Sequence, residues 1–278
     1  MKLNFVALAV LTASVSFAES IPQAPVITYG LVRDAYGTPL TAKSSARLEL
    51  VKDEDPEGRI YAASPIGDMG VGGINYRLSL EVDSSGPNRS YAVLTGTRMR
   101  IRCLVGSTAT ALSPSPVWTT PSGGTAQRQD YTIGVDADGD GMPDDWEKWM
   151  LQLAGRPSDA ASVSAFRPGD DADGDGMSNL GEYLAGTDPF VATDLLAIVG
   201  IRTIPDSRRV GIRFTTAAER KYQLLMSASL EHPDWVPVPM TRTLEGELEY
   251  AAYPGTGREL EVYTAGVLQS MFFKVAAE

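Results

Sequence analysis

Residues 136–147 read DADGDGMPDDWE, and residues 171–182 read DADGDGMSNLGE. Both stretches have Asp at positions 1, 3 and 5, Gly at position 6 and Glu at position 12, and the second begins 35 residues after the first. Carboxylates at this spacing wrap a hard cation that takes six to eight oxygen ligands at roughly 2.3–2.6 Å, and the final Glu closes the site with two oxygens. The pattern therefore predicts two calcium-binding loops.

The predicted ligands include the residue at position 7, where only the backbone carbonyl is used and Met is acceptable. They are Asp136, Asp138, Asp140, Met142, Asp144 and Glu147 in the first loop, and Asp171, Asp173, Asp175, Met177, Asn179 and Glu182 in the second. A solvated turn rich in Asp and Gly is the alternative interpretation of one such stretch, but two complete copies favour calcium. Magnesium is disfavoured because it prefers fewer protein ligands and strict octahedral geometry.

The charge of the chain is concentrated around these loops. The 278 residues include 24 Lys and Arg and 35 Asp and Glu, for a net charge of −11. Residues 135–190 hold 13 acids against three basic residues, a net charge of −10. This balance supports cation binding and opposes binding of nucleic acid or anionic lipid by the chain as a whole. A single His and a single Cys exclude a disulfide framework and a Cys/His zinc site.

Each loop is predicted to continue into a helix. Apolar residues recur with helical spacing after both loops: Trp146, Trp149, Met150 and Leu153 after the first, and Leu180, Tyr183 and Leu184 after the second. No helix is predicted to enter either loop, because residues 131–135 read as a strand and residues 167–170 as a turn. We expect the two exiting helices to pack on each other through Trp146, Trp149, Leu180, Tyr183 and Leu184.

This central segment resembles the calcium repeats of exported modular proteins over about 55 residues. Residues 138–144 are similar to thrombospondin type 3 repeats, and both units resemble dockerin repeats, each of which is half of an EF-hand. The resemblance implies an exported bacterial protein. Dockerins contact a cohesin partner through paired small hydroxyl residues, but residues 145–146 are Asp-Trp and residues 180–181 are Leu-Gly, so cohesin binding is not expected.

Pro143 stands at position 8 of the first loop. Paired EF-hand loops ordinarily join through an antiparallel bridge to which each position 8 donates its N–H, and Pro has none. The bridge is therefore expected to be incomplete, so that helix packing holds the loops together.

The regions on both sides of the calcium loops are predicted to be β-sandwiches. Short alternating runs at residues 47–52, 76–82 and 99–105 indicate half-buried strands, and seven short strands are predicted between residues 196 and 275, among them residues 247–251. Residues 30–40 resemble the start of a carboxypeptidase regulatory-like sandwich, and the C-terminal region resembles a β-module that follows such repeats in exported bacterial proteins.

The strand predicted at residues 99–105 has two features that can be interpreted in more than one way. Cys103 lies on the apolar face of this strand and is expected to be a small buried residue. The opposite face carries Arg98, Arg100 and Arg102, which form either a solvated surface or a binding site for an anionic polymer.

Residues 1–18 are predicted to be a signal peptide cleaved after Ala18. Lys2 precedes an apolar stretch, and small residues stand at the −3 and −1 positions. The protein is therefore expected to be secreted, periplasmic or attached to the cell surface, with no transmembrane segment in the mature chain. The predicted fold is mostly β: an N-terminal sandwich at 19–134, a calcium segment of two loops and two helices at 135–193, and a C-terminal sandwich at 194–278.

Catalysis is not predicted, because the chain has no G-x-S-x-G elbow, no Gly-rich phosphate loop and only His232 for acid–base chemistry. We expect a calcium-binding structural or interaction protein, with no catalytic residues and no cofactor besides calcium. The central segment would be a rigid joint between β-domains used for adhesion or assembly with a protein or glycan partner at the cell surface. The alternative is a carbohydrate-binding accessory protein of the cell surface or of a secreted polysaccharide-degrading system, with Trp235 beside His232 as its stacking surface.

Overall fold

The structure is a computed structural model, and it describes residues 23–69, 73–84, 89–218, 220–266 and 271–277. This part of the chain is mostly β, as predicted, with three short helices between two β-rich regions. The predicted signal peptide lies outside the described residues. None of the helices in the described ranges has the length and apolar character needed to cross a membrane.

The N-terminal region consists of short strands. They are β1 (Val26–Gly30), β2 (Val32–Arg33), β3 (Ala46–Lys52), β4 (Ala62–Pro65), β5 (Tyr76–Leu80), β6 (Val82–Asp83), β7 (Val93–Leu94), β8 (Arg98–Val105), β9 (Thr108–Thr110), β10 (Leu112–Ser113), β11 (Val117–Thr119), β12 (Ala126–Arg128) and β13 (Tyr131–Ile133). They form sheets in the orders β12-β1-β5, β10-β13-β2 and β11-β8-β3-β4, while β9 pairs with β8 and β6 with β7. Alternating burial along β5 and β8 supplies one hydrophobic cluster, in which Cys103 is buried as predicted.

Acidic residues neutralise the arginine row of β8. Arg98 and Arg100 both pair with the carboxylate of Asp53, at 3.0 and 2.6 Å. Arg102 pairs with Glu49 at 2.8 Å. Each guanidinium has a carboxylate partner. The structure therefore favours a solvated strand face over a binding site for an anionic polymer.

The helices are α1 (Asp144–Leu153), α2 (Ala160–Ala165) and α3 (Asn179–Ala185). α1 and α3 begin inside the two predicted loops, as expected. The prediction that no helix precedes the second loop, and with it the count of two helices, is wrong, because α2 ends shortly before Asp171. The Asp159 side chain caps α2 by accepting from the Ser162 N–H at 2.9 Å, and this local bond favours a short helix whose sequence shows no apolar face.

The predicted packing of the helices is correct for Trp146 and Tyr183 and wrong for Trp149 and Leu184, which lie outside the shared cluster. The Trp146 ring lies 4.9 Å from that of Tyr183 in an edge-on contact, inside a cluster that also includes Met150. Trp149 is 47% exposed and packs instead on Tyr36, outside that cluster. The reason is that α1 also buries Glu147, and at about 100° per residue a side chain two positions later points to the opposite side of the helix.

The C-terminal region has strands β14 (Ile198–Ile204), β15 (Arg209–Phe214), β16 (Lys221–Ser227), β17 (Val236–Pro237), β18 (Met240–Thr241), β19 (Tyr253–Pro254), β20 (Leu260–Ala265) and β21 (Phe272–Ala277). One sheet has the order β14-β15-β20-β18, and a second is formed by β17, β16 and β19 with β21 also pairing with β16. Both sheets contribute to a single hydrophobic cluster. The strand predicted at residues 247–251 is wrong, since only Glu249 makes an isolated bridge, to Met240.

β14 lies at the edge of its sheet and pairs only with β15 among the described strands. Val199 and Ile201 are 42% and 56% exposed. The register of the pair shifts between Ile198 and Gly200, which marks a β-bulge. The Arg202 guanidinium reaches from β14 across β15 to pair with Glu261 on β20 at 2.8 Å.

Asn75 connects the first strands of the N-terminal region through its buried side chain. Its amide donates to the carbonyls of Val32 and Leu40 at 2.8 and 2.9 Å, and its carbonyl accepts from the Val32 N–H at 2.7 Å. The residue is only 4% exposed, so water cannot readily replace these bonds.

We expect Asn75→Ala to lower the free energy of unfolding of the N-terminal region by about 2–4 kcal/mol, because it leaves buried backbone groups unpaired. Denaturant titration would measure the change. The control is Gln127→Ala, which removes one 3.4 Å bond at a partly exposed residue and should change stability by no more than about 0.5 kcal/mol. Equal effects of the two variants would contradict the prediction.

Candidate metal centre

In the first loop, residues 136–147, three aspartates converge. Asp136, Asp138 and Asp140 each offer a carboxylate oxygen, and these oxygens all lie within 4.8 Å of one another. The Asp136 carboxylate holds the turn by accepting from the N–H groups of Gly139 at 2.7 Å and Gly141 at 3.1 Å. These glycines have φ of 75° and 96°, a region that favours Gly over residues with a side chain.

The second loop, residues 171–182, repeats this geometry. Asp171, Asp173 and Asp175 form an equivalent triplet of oxygens. Asp171 accepts from the N–H groups of Gly174 at 2.7 Å and Gly176 at 2.8 Å. These backbone donors, chiefly that of Gly176, hold the pKa of Asp171 below its ordinary value. The sequence repeat is thus a structural repeat, and both triplets could hold a metal ion.

The glutamates at position 12 are fully buried. Glu147 and Glu182 are both 0% exposed. Within the described part of the chain, neither carboxylate oxygen of Glu147 has a hydrogen-bond partner, nor does Oε2 of Glu182. Oε1 of Glu182 accepts from the Thr187 hydroxyl at 3.3 Å. A buried carboxylate without donors is strongly unfavourable when it is ionised and uncompensated.

Burial and neighbouring charge perturb the pKa of both glutamates. Desolvation is the main cause, and repulsion from the aspartates of the same loop adds to it, so that the pKa of Glu147 rises to about 8 and that of Glu182 to about 8. A bound cation would act in the opposite direction, by stabilising the ionised form.

The two loops differ at position 9. The Asp144 carboxylate accepts from the Ala137 N–H at 2.8 Å and lies 3.7 Å from the Lys148 ammonium. The Asn179 amide donates to the Arg167 carbonyl at 2.7 Å, while its buried Oδ1 has no partner among the described residues. Asn179 therefore offers an unused oxygen, whereas Asp144 is already engaged within its loop.

The methionines at position 7 make the same backbone bond in both loops but differ in burial. Met142 is completely buried in the cluster around Trp146, and its N–H donates to Asp140 at 2.9 Å. Met177 makes the equivalent bond to Asp175 at 2.7 Å. The Met177 side chain is only partly buried and lies outside that cluster.

Each loop closes through its own backbone. The Asp144 N–H donates to the Val135 carbonyl at 2.9 Å, and the Asn179 N–H donates to the Asp170 carbonyl at 2.8 Å. No strand pairing joins the two loops within the described residues. This is consistent with an incomplete bridge at Pro143.

Arg220 connects this segment to both β-rich regions, and the sequence did not reveal it. The residue is 5% exposed. Its guanidinium donates to the backbone carbonyls of Tyr36 at 2.6 Å, Tyr183 at 3.2 Å and Leu184 at 3.3 Å. Burial lowers the pKa of Arg220 from its ordinary value. No local pattern could have identified it, since its partners lie 36 to 184 residues away.

Comparison of the chain with protein-family models, curated proteins and solved structures found no match. Functional interpretation therefore rests on the residues and geometry of the chain itself.

In the metal-depleted protein, we expect the loop segment to lose stability as the pH rises from about 5 to about 8. The folded pKa of both glutamates lies above the ordinary value of 4.5, so the folded state retains protons that the unfolded state has released. The free energy of unfolding should fall by on the order of 1 kcal/mol per pH unit for each carboxyl group. Thermal unfolding across this pH range would measure the slope.

The control is the double variant Glu147→Gln/Glu182→Gln. Its amides do not titrate, so the slope over this pH range should largely disappear. An unchanged slope in the double variant would assign the pH dependence to other groups.

Proposed function

We propose that the protein is an exported calcium-binding structural protein that holds two calcium ions in residues 136–147 and 171–182. The observation that carries the proposal is the pair of buried glutamates, each with unpartnered oxygen beside a triplet of aspartates. Oxygen donors alone favour a hard cation. Three aspartates, a backbone carbonyl and a bidentate Glu supply at least six oxygens, the number calcium requires.

In this proposal the central segment is a calcium-dependent joint between two β-sandwich domains. α1 and α3 start in the loops and meet through Trp146 and Tyr183. The C-terminal region contacts the end of α3 through Arg220 and through the Tyr222 hydroxyl, which donates to the Ala185 carbonyl at 3.0 Å. The N-terminal region contacts the first loop through Ser113, whose hydroxyl donates to Asp136 at 3.0 Å. In this way the ordering of the calcium loops would be coupled to the positions of the N-terminal and C-terminal β-rich regions.

The joint would position the β-domains for adhesion or assembly at the cell surface or in another exported location. Non-enzymatic function and export remain proposals from the sequence. Trp235, the stacking residue of the alternative function, is partly buried beside the short strand β17.

We expect the protein to bind two calcium ions, and Glu147→Gln or Glu182→Gln to weaken one site each by about tenfold or more, because an amide cannot supply two anionic oxygens. Calcium titration by calorimetry would measure stoichiometry and affinity. The matched control is Asp145→Asn in the first loop, whose side chain is 67% exposed and occupies no ligand position.

A wild-type stoichiometry of one or zero at millimolar calcium would refute the two-site proposal. Weak affinity would not, since extracellular modules commonly bind calcium at about 10⁻⁴–10⁻³ M. Equal losses in Asp145→Asn and Glu147→Gln would show that general negative charge, and not the ligand set, determines binding.

We expect Arg220→Met to loosen the arrangement of the two β-rich regions, because Met retains most of the apolar contact but removes every hydrogen bond to the backbone carbonyls of Tyr36, Tyr183 and Leu184. Small-angle X-ray scattering in saturating calcium should show a broader distribution of overall lengths than in the wild type. Arg213→Met is the control, since its ion pair with Glu259 is about half exposed on both sides. Superimposable curves for wild type and Arg220→Met would mean that Arg220 does not hold the joint.

A further inference from the structure

A cleft of about 270 Å³ opens where the N-terminal region, α1 and the chain after α3 meet. Its lining includes Tyr36, Trp149, Leu153, Asp188 and Asp194. None of these residues is a predicted calcium ligand, and none was assigned a binding role from the sequence.

The apolar part of the cleft is unusually exposed for side chains of this size. Tyr36, Trp149 and Leu153 are 49%, 47% and 62% exposed. The Tyr36 and Trp149 rings meet edge to face, with centroids 5.4 Å apart and planes at 88°. This contact fixes the orientation of both rings while about half of each stays open to solvent. A cluster of exposed apolar side chains around a concavity is typical of a binding site.

The polar part of the cleft consists of hydrogen-bond acceptors. Asp188 accepts from the Phe190 N–H at 3.0 Å, and Asp194 accepts from the Asp188 N–H at 3.1 Å. Each of these bonds uses one carboxylate oxygen, and within the described residues the second oxygen accepts no hydrogen bond. Two oriented carboxylates thus remain available to a ligand that donates hydroxyl hydrogens.

An anionic ligand does not suit this cleft. Among the described residues that line it, Arg220 is the one basic residue, and its guanidinium is directed to backbone carbonyls. The two carboxylates would repel a negative group. The ligand should therefore be neutral or cationic.

We propose that this cleft binds a neutral sugar ring of a polysaccharide. The C–H face of a pyranose packs on an aromatic surface through dispersion and the hydrophobic effect, while its hydroxyls donate to acceptors at the rim. The aliphatic side chains of Met150 and Leu153 extend the apolar floor, which matches C–H groups. A cation would gain most from several open aromatic faces around it, and the edge-on contact of the two rings does not provide such a cage.

The site rests on the proposed function in one respect. Trp149 is on α1, which begins in the first loop, so its position depends on the order of that loop. Binding is therefore tested in saturating calcium, with calcium stoichiometry measured on the same samples. Failure of calcium binding and failure of sugar binding are then separate observations.

In the experiment, the full chain is titrated with neutral cello-, xylo-, manno- and chito-oligosaccharides. Binding is measured by calorimetry and by tryptophan fluorescence. We expect saturable binding of at least one series, weakened by about tenfold or more in Trp149→Ala and in Tyr36→Ala. Trp149→Phe should keep part of the affinity because it keeps a ring. The control is Tyr250→Ala, which removes a 69% exposed aromatic residue that does not line the cleft and should leave affinity unchanged.

Binding of none of these oligosaccharides by calcium-loaded protein would overturn the proposal. So would equal affinity in wild type and Trp149→Ala when both bind two calcium ions. A Lys-rich peptide serves as the cationic probe. If the protein bound this peptide but none of the oligosaccharides, and if Trp149→Ala weakened the binding of the peptide, the cleft would be reassigned to cations and the proposal would be overturned.

Discussion

The stability of the central segment depends on how the charge of the buried Glu147 and Glu182 carboxylates is neutralised. Each lies in the first turns of a helix, next to aspartates of the same charge. Helix packing through Trp146 and Tyr183 is therefore most favourable when this charge is neutralised, either by protons or by a cation. Asp171 at position 1 of the second loop differs, because backbone N–H groups of the loop stabilise its ionised form and lower its pKa. The second loop thus combines one carboxylate that is held charged with one, Glu182, that resists ionisation.

A small number of polar contacts connect the calcium-loop segment to the β-rich regions. Arg220 buries a guanidinium against carbonyls from two other parts of the chain, and such a group is strongly unfavourable in the interior unless its donors are satisfied. The carbonyls at the end of α3 also have no partner within the helix and need donors from elsewhere. Arg220 and Tyr222 meet both needs at once, which explains why this interface is polar although hydrophobic clusters lie on either side of it.

How far sequence predicts this structure depends on the separation of the interacting residues. The loop geometry is local: Asp136 bonds to N–H groups three to five residues away, so ligand spacing was enough to locate it. β5 and β8 were predictable from alternation, because one face of each is buried. Trp149 was misplaced since its helix buries a charged residue, Glu147, which a count of apolar positions ignores. The cleft at Tyr36 could not be predicted, because its walls come from residues more than 100 positions apart.

The bulge in β14 has a consequence for self-association. An edge strand of this length, with Val199 and Ile201 exposed, offers unpaired backbone groups to any other extended chain, including another copy of itself. The shift between Ile198 and Gly200 interrupts the regular spacing of those groups. A second strand could therefore not continue the ladder along the whole of β14. The bulge thus limits the pairing of a second strand with the exposed apolar edge of β14.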